Sequence, residues 1–241
     1  MNITAAGRIR RLFKWVERTP LHPQWLVLRQ RRIVDDWVVG HARHRVVDIG
    51  CGNSTLRGRL PDYIGLDYPT TVALGYLGNA DIYCDAAKLP IASGSADTVL
   101  LLDVLEHVAD PGQVLFEVRR ILRPGGKCLV HVPFLYPLHD APHDFARWTR
   151  YGLVELFQSK GFTVREVHGS MCAIESASAL TAIALAATTL GVEGGSWMKR
   201  CAAGVLLPLV PAINLFGWTM GRIGGGGTLM PFSFRAMFVM A

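Results

Sequence analysis

A glycine turn and a widely spaced set of acidic side chains are the residues of this chain best suited to chemistry. The run Asp48-Ile49-Gly50-Cys51-Gly52 places two glycines directly after a short apolar segment. Glycine permits positive φ and lets a ligand approach the backbone without meeting a Cβ. Asp67 ends the next apolar segment, where an acid can accept hydrogen bonds from both hydroxyls of a ribose. The pattern predicts a nucleoside site.

Two further motifs extend this site along the chain. In Cys84–Pro90, Asp85 is suited to accept from an adenine amino group, and Ala86 supplies a backbone amide. In Leu101–Val108, Asp103 lies at the end of a fourth apolar segment, followed by His107. Polar groups at the carboxyl ends of parallel strands are where open α/β sheets bind ligands. His107 either gates the reacting centre or caps a helix, and the sequence leaves both open.

The turn at Gly50–Asn53 is predicted to open a helix, whose first amides would favour a carboxylate. A dinucleotide site is the alternative reading of the same turn. It is disfavoured because Thr55 stands where the third glycine of a G-x-G-x-x-G turn would be.

The elements that position these residues alternate between strand and helix patterns. Short apolar runs bounded by Gly, Asp or Pro indicate buried parallel strands, and amphipathic stretches between them indicate helices. This alternation predicts an α/β fold with a doubly wound sheet. The predicted strands are Arg45–Ile49, Tyr63–Leu66, Asp81–Cys84, Thr98–Leu102, Lys127–Val132, Phe162–His168 and Phe234–Met240, and the predicted helices include Trp25–Val39, Gln113–Leu122 and Tyr151–Lys160.

Together, four motifs resemble the class I S-adenosylmethionine (SAM)-dependent methyltransferases, in particular the type 11 group. They are Val46–Asn53, Cys84–Pro90, Leu101–Val108 and Leu122–Gly126. The resemblance covers about residues 45–168. It implies a Rossmann-like sheet of seven strands whose last strand is antiparallel, a place that Phe234–Met240 fits. It also implies SAM as the cofactor, with a binding set that we take as Asp48, Gly50, Cys51, Gly52, Asp67, Asp85, Ala86, Asp103 and His107.

The loop after the fifth predicted strand passes over the transferred methyl group in this fold and is expected to meet the acceptor. Its motif Pro-x-x-Tyr-Pro-x-His followed by Asp-x-x-Arg-x-Thr resembles methyltransferases that modify cell-envelope sugars and lipids. The residues expected to bind substrate are Tyr136, Asp144, Arg147 and Trp148. Arg147 suits a phosphate or carboxylate of the acceptor, or else pairs with Asp144 on a helix that starts near Asp144.

His139 is the favoured catalytic residue of this loop, and His143 is the second choice. A neutral imidazole can remove the proton of an oxygen acceptor near pH 7. The i, i+4 spacing of the two histidines would also allow a shared metal ion on a helix, but Pro142 lies between them. We therefore predict no metal.

Two uncharged stretches, Ser176–Leu190 and Cys201–Gly221, separate the predicted sixth and seventh strands. They predict an apolar helical insert at 171–230, between a core at 45–170 and a last strand at 231–241. The insert suits a membrane-dipping hairpin or a lid over an apolar substrate. The alternatives are a homodimer interface and a pair of buried helices. A transmembrane pair is disfavoured because Pro208 and Pro211 interrupt the longer stretch.

Residues 1–44 are predicted to form a basic helical segment. The chain has 241 residues and a net charge of +6, and ten Lys or Arg residues face three acids within the first 45 positions. Such a segment suits an anionic surface such as lipid head groups, or else caps the edge of the sheet. The five cysteines show no C-x-x-C spacing, and no apolar run follows the basic start. A cytoplasmic protein with reduced thiols, peripheral at the inner face of a membrane, is expected.

The sequence therefore predicts a SAM-dependent methyltransferase that acts on a hydrophobic or lipid-linked acceptor, such as a cell-envelope sugar, at oxygen. One alternative is an inactive SAM-fold module that associates with membranes. A small-molecule or quinone-type methyltransferase is another. Nucleic acid is not expected as a partner, because the chain lacks an Asn/Asp-Pro-Pro-Tyr/Phe motif for a flipped base and the apolar insert serves such a substrate poorly.

Overall fold

The fold was analysed in a computed structural model that describes residues 16–69, 78–190, 204–223 and 229–241. Contacts divide the chain into two units: Val34–Ser170 with Phe232–Ala241, and Met1–Ile33 with Met171–Pro231. The first is called the sheet unit here and the second the helical unit. Residues 1–15 of the predicted basic segment, and residues 191–203 and 224–228 of the predicted apolar insert, lie outside the described residues.

The sheet unit contains seven strands in the order β3-β2-β1-β4-β5-β7-β6. Strands β1 to β5 pair in parallel, and β7 is antiparallel to both β5 and β6. This confirms the seven-stranded α/β sheet and the antiparallel last strand. The strands are β1 (Val46–Ile49), β2 (Tyr63–Asp67), β3 (Ile82–Tyr83), β4 (Ala96–Leu102), β5 (Leu122–Pro133), β6 (Phe162–Gly169) and β7 (Ser233–Met240).

Helix α1 (Trp25–His41) crosses the division between the units at residue 33, and α2 (Pro111–Ile121) and α3 (Arg150–Ser159) belong to the sheet unit. Asp110 caps α2 by accepting from the Gln113 amide at 3.0 Å. Thr149 caps α3 by accepting from the Gly152 amide at 3.0 Å. The core is apolar, and the rings of Phe157 and Phe238 stack within it at 3.8 Å.

Two local predictions fail. The segment after the glycine turn forms successive turns rather than a helix, because Gly58 and Pro61 leave too few good helix formers in sequence. No helix starts near Asp144 either, since α3 begins at Arg150 behind its Thr149 cap. The helix N-terminus expected to favour a carboxylate is therefore absent from this turn.

The helical unit contains α4 (Ala173–Leu190) and α5 (Leu209–Ile223). The two helices approach closely, since a Cβ added at Gly217 would lie 2.5 Å from the Cβ of Ser178. Asn214 donates to the carbonyls of Pro20 and His22 at 2.8 and 3.0 Å. Of the described helices, one (Gly204–Ile223, with a turn at Leu207–Pro208) is long and apolar enough to cross a membrane, and 17% of its most apolar window is buried.

Candidate active site

The first half of the site lies at the carboxyl ends of β1 and β2 and is called the cofactor edge here. Gly50 and Gly52 have φ of +71° and +47°, so both adopt backbone that favours glycine. A Cβ at Gly50 would lie 2.6 Å from Cγ2 of Val104, whereas a Cβ at Gly52 would have no neighbour within 4 Å. Gly50 therefore allows close packing against the segment after β4, and Gly52 faces open space.

Asp67 is buried directly beneath this turn. Its carboxylate accepts hydrogen bonds from the amides of Gly52 at 3.1 Å and Tyr68 at 2.8 Å. A carboxylate has about four acceptor positions, so Asp67 keeps capacity for the ribose hydroxyls predicted from sequence. Asp48 is also buried, and one of its oxygens accepts from the Tyr63 hydroxyl at 2.5 Å. Burial beside Asp48 raises the pKa of that hydroxyl.

A small pocket opens at this turn, with a volume of about 100 Å³. It is lined by Cys51, Gly52, Asn53, Ser54, Arg57, Tyr63 and Asn79. Burial, reinforced by Asp48 and Asp67, raises the pKa of the Cys51 thiol to about 12. Cys51 is therefore a buried packing residue whose thiol stays protonated near pH 7.

The loop at 85–91 is held in place by a pair on α2. Glu117 accepts from the Leu89 amide at 2.8 Å and from Arg120 at 2.8 and 2.9 Å. Arg120 in turn donates to the carbonyls of Leu89 and Ile91. Asp85 is exposed and accepts from the Ala87 amide at 2.8 Å, and Ala86 beside it is partly buried. The sequence did not single out Glu117, because this pairing depends on residues far apart in the chain.

The second half of the site lies at the carboxyl ends of β4 and β5 and is called the acceptor edge here. Asp103 directly follows β4 and has φ of +57°, and its carboxylate lies 2.7 Å from Nδ1 of His131. Nε2 of His131 is 2.9 Å from the Ser233 hydroxyl, which is 2.7 Å from that of Ser170. This chain of side chains ties the ends of β4, β5 and β7 to the residue after β6. Only Asp103 among its members was predicted from sequence.

Three of the predicted loop residues form an internally bonded set. Arg147 makes a paired contact with both carboxylate oxygens of Asp144 and donates to the carbonyls of Tyr136, Pro137 and Ala146. The Arg147 guanidinium holds the pKa of Asp144 well below its usual range. These contacts employ every nitrogen of Arg147, so it positions the loop. The sequence left open this structural pairing, although on a helix rather than the loop observed here.

His139 belongs to an aromatic and carboxylate cluster at the same edge. Its ring lies edge-on to His107 at 4.7 Å and to Tyr136 at 5.1 Å. His143, in contrast, is exposed beside Phe145, and only its backbone carbonyl reaches the cluster, 2.9 Å from Nδ1 of His107. The structure therefore brings together His107 and His139, not His139 and His143.

Glu106 lies behind these histidines and was missed in the sequence. It is fully buried, and in the described part of the chain neither carboxylate oxygen has a hydrogen-bond partner. Burial, reinforced by the charge of Asp103, raises the pKa of this carboxyl well above its ordinary range. Val104 and Leu105 precede Glu106, and Val108 follows it two residues later. An acid within such an apolar run predicts a buried carboxyl, so the sequence did contain a signal for Glu106. The Trp148 indole nitrogen is likewise buried without a partner among the described residues.

Known proteins resemble this chain over the region that contains the cofactor edge. Residues 47–130 match the family model described as a methyltransferase domain. A "probable S-adenosylmethionine-dependent methyltransferase" of Mycolicibacterium smegmatis is 33% identical over 143 residues, which cover 52% of this chain and 54% of that protein. The ubiquinone biosynthesis O-methyltransferase of Methylococcus capsulatus is 28% identical over 170 residues, covering 53% of this chain and 70% of that protein.

A solved structure agrees over more of the chain. The SAM-dependent methyltransferase of Archaeoglobus fulgidus superposes with a TM-score of 0.53 and 16% identity, covering 95% of this chain and 99% of that one. At this identity the likeness establishes the fold. The chain spans about half the length of the first curated relative, and the matched region contains the glycine turn, Asp67, Asp85 and the segment after β4.

Proposed function

We propose that this chain, which belongs to the class I SAM-dependent methyltransferases, transfers a methyl group to a hydroxyl oxygen of a hydrophobic or lipid-linked acceptor. The observation that carries the proposal is the direct contact between the two edges of the site. Val104 packs against Gly50, so the turn that would hold the cofactor and the segment that carries Asp103, Glu106 and His107 are adjoining surfaces.

The residues at the cofactor edge fit SAM. The open space at Gly52, the buried Asp67 carboxylate beside it and the small pocket form a cradle that a Cβ would begin to fill. When bound, SAM supplies a methyl group on a sulfonium, which is electrophilic. Asp67 would hold the ribose, the backbone of Gly50–Gly52 would contact the amino acid part, and Asp85 with Ala86 would meet the adenine.

At the acceptor edge, the chain must position a hydroxyl and promote loss of its proton. Nδ1 of His139 lies 3.2 Å from the Pro137 carbonyl and 3.3 Å from Asp144, which leaves Nε2 as the nitrogen able to act on the acceptor. Tyr136 and Trp148 would contact the acceptor. Asp144 and Arg147 keep the loop in place. Alignment of the two reactants accounts for most of the rate enhancement in such a displacement.

A labelled transfer experiment tests the proposal. The full-length protein is incubated with methyl-labelled SAM and either a lipid extract or an aqueous metabolite extract, with the Asp67→Ala protein as control. We expect label in the organic phase that depends on Asp67. Label confined to the aqueous phase would overturn the acceptor class. Calorimetric SAM binding without any transfer would instead support an inactive SAM-fold module.

A quinone-type phenol is the second candidate acceptor. It is favoured by the similarity to the ubiquinone biosynthesis O-methyltransferase of Methylococcus capsulatus. A phenol is more acidic than a sugar hydroxyl, so its methylation depends less on a base. Label in a prenylated phenol, with a small effect of His139→Ala, would favour this candidate over a lipid-linked sugar.

We also propose that the protein acts at the inner face of a membrane. Helix 204–223 exposes large apolar side chains, and 43% to 78% of each remains accessible (Val205, Leu209, Leu215, Phe216 and Ile223). Together with the basic N-terminal segment, such a surface suits an anionic bilayer, where each basic residue contributes about 1 kcal/mol. We expect co-sedimentation with vesicles containing anionic lipid and partial release by salt. A monodisperse dimer that does not co-sediment with the vesicles would contradict the proposal.

A further inference from the structure

The strongest unexplained feature of the sheet unit is a buried carboxylate that faces two imidazoles. Glu106, His107 and His139 each offer one ligand atom, and the three atoms lie within 4.8 Å of one another. Oε1 of Glu106 is 3.9 Å from Nε2 of His107. Burying a carboxylate without a partner is costly. Glu106 is fully buried, and neither oxygen has a hydrogen-bond partner among the residues described.

Both imidazoles have Nδ1 next to an acceptor, which leaves Nε2 of each ring available for coordination. Nδ1 of His107 is 2.9 Å from the His143 carbonyl, so it donates its proton there and leaves the Nε2 lone pair toward Glu106. Nδ1 of His139 faces the Pro137 carbonyl and Asp144 in the same way. Metal-binding histidines in proteins almost always donate their second ring N–H to a carbonyl or carboxylate. This arrangement is therefore that of two imidazoles with defined tautomers.

We propose that Glu106, His107 and His139 bind a divalent transition-metal ion. Two imidazoles and one carboxylate suit Zn²⁺ and its neighbours in the first transition row rather than Mg²⁺ or Ca²⁺, which prefer oxygen ligands. Three protein ligands leave positions open for water or substrate. The sequence prediction paired His139 with His143 and favoured no metal. In the structure, Glu106 and His107 lie beside His139, and His143 does not. Glu106 and His107 follow β4, whereas His139 follows β5.

The loop that carries His139 is fixed against the other two ligands. The Phe145 amide donates to the Glu106 carbonyl at 2.7 Å, and Asp144 accepts from the His139 amide at 3.0 Å. The cluster follows Val104, which packs against Gly50 at the cofactor edge. A bound ion would therefore lie on the acceptor edge of the sheet unit.

The role of this ion in catalysis rests on the proposed function. An ion with open positions would hold the acceptor hydroxyl and lower its pKa, and the proton would leave to water. The oxygen would then form a bond to the methyl carbon of SAM as the carbon–sulfur bond breaks, and the electron pair of that bond would stay on sulfur. In the loaded protein, His139 would assist as a ligand, and in the metal-free protein it would accept the proton itself.

The direct test is titration of the full-length protein with Co²⁺ after treatment with a chelator. We expect one Co²⁺ ion to bind per chain and the melting temperature of the protein to rise. The bound ion should show the visible absorption of Co²⁺ with few ligands, all of them nitrogen or oxygen atoms. Glu106→Gln and His139→Gln should each weaken binding at least tenfold. The matched control is His44→Asn: His44 is exposed before β1, at the amino end of the strand, with φ of +43° that Asn tolerates.

Several outcomes decide the question. Absence of Co²⁺ binding at micromolar to millimolar concentrations, or equal binding by wild type and both cluster variants, would overturn the proposal. Loss of binding in His44→Asn as well would point to adventitious sites and would also overturn it. Calorimetric SAM binding by the same samples checks that the variants are folded. The labelled transfer assay on the same samples separates the two proposals, because a protein that binds Co²⁺ but transfers no methyl group has the metal site without the proposed function.

Discussion

The two edges of the site are built from different kinds of contact. At the cofactor edge, Gly50 and Gly52 follow β1 and Asp67 ends the adjoining β2, and the decisive contacts involve backbone amides and positive φ. At the acceptor edge, side chains from separate segments meet, as Glu106 and His139 do. The comparison teaches that the proposed cofactor contacts come from local motifs, whereas the proposed acceptor contacts depend on side chains that are distant in sequence. The two edges should therefore fail in different ways when mutated.

Substitution of Gly50 should disturb the packing of both edges, because Gly50 and Val104 lie where the two edges meet. Gly50→Ala combines a left-handed backbone with a Cβ that would lie 2.6 Å from the stiff side chain of Val104. We expect a loss of about 2–4 kcal/mol in the free energy of unfolding. Gly52→Ala is the matched control, because its Cβ has open space and only backbone strain of about 1–2 kcal/mol applies. Denaturant unfolding measures both, and equal losses would contradict the packing argument.

His139→Ala should separate the edges most cleanly. Whether His139 accepts the proton or binds the metal ion, its removal should lower turnover about 10²-fold or more. SAM affinity should stay within about twofold, because His139 is not among the residues of the cofactor edge. Single-turnover kinetics and calorimetry on the same protein give the two numbers. A parallel loss of SAM affinity would assign His139 to the cofactor edge.

Glu117 tests whether the cofactor edge also depends on distant side chains. Glu117→Gln removes the charge-assisted hydrogen bond from Arg120 and weakens the hydrogen bond from the Leu89 amide. The free energy of unfolding at pH 7 should therefore fall by about 1–2 kcal/mol. Arg120 lowers the pKa of Glu117. The stabilisation is therefore present above the ordinary glutamate pKa and is lost as pH falls through the lowered pKa.

Unfolding measured between about pH 3 and pH 7 should show the wild type and Glu117→Gln converging in acid. A constant difference across this range would contradict the assigned role of the charge. A few-fold loss of SAM affinity in Glu117→Gln would further show that the 85–91 loop transmits the effect to the cofactor edge.

The same contrast explains what the sequence could reveal. Strand ends, the glycine turn and Asp67 were predictable, because apolar runs and positive-φ glycines are local signals. The helix after the turn was wrongly predicted, because the low helix propensity of Gly58 and Pro61 prevailed over the strand–turn–helix pattern of the motif. His131 gave no signal of its own, because its partner Asp103 follows β4 and its partner Ser233 begins β7. Such pairings follow from strand order, which periodicity alone does not give.

Calorimetric titration of SAM into the full-length wild type and Asp67→Ala proteins tests the central claim most directly. The account predicts one site per chain in the wild type. It predicts a 10- to 100-fold loss of affinity in Asp67→Ala, about 1.4–2.7 kcal/mol, because Asp67 offers charge-assisted hydrogen bonds from a buried position. Absence of SAM binding by the wild type would contradict the account, and unchanged affinity in Asp67→Ala would show that the cofactor edge is misplaced.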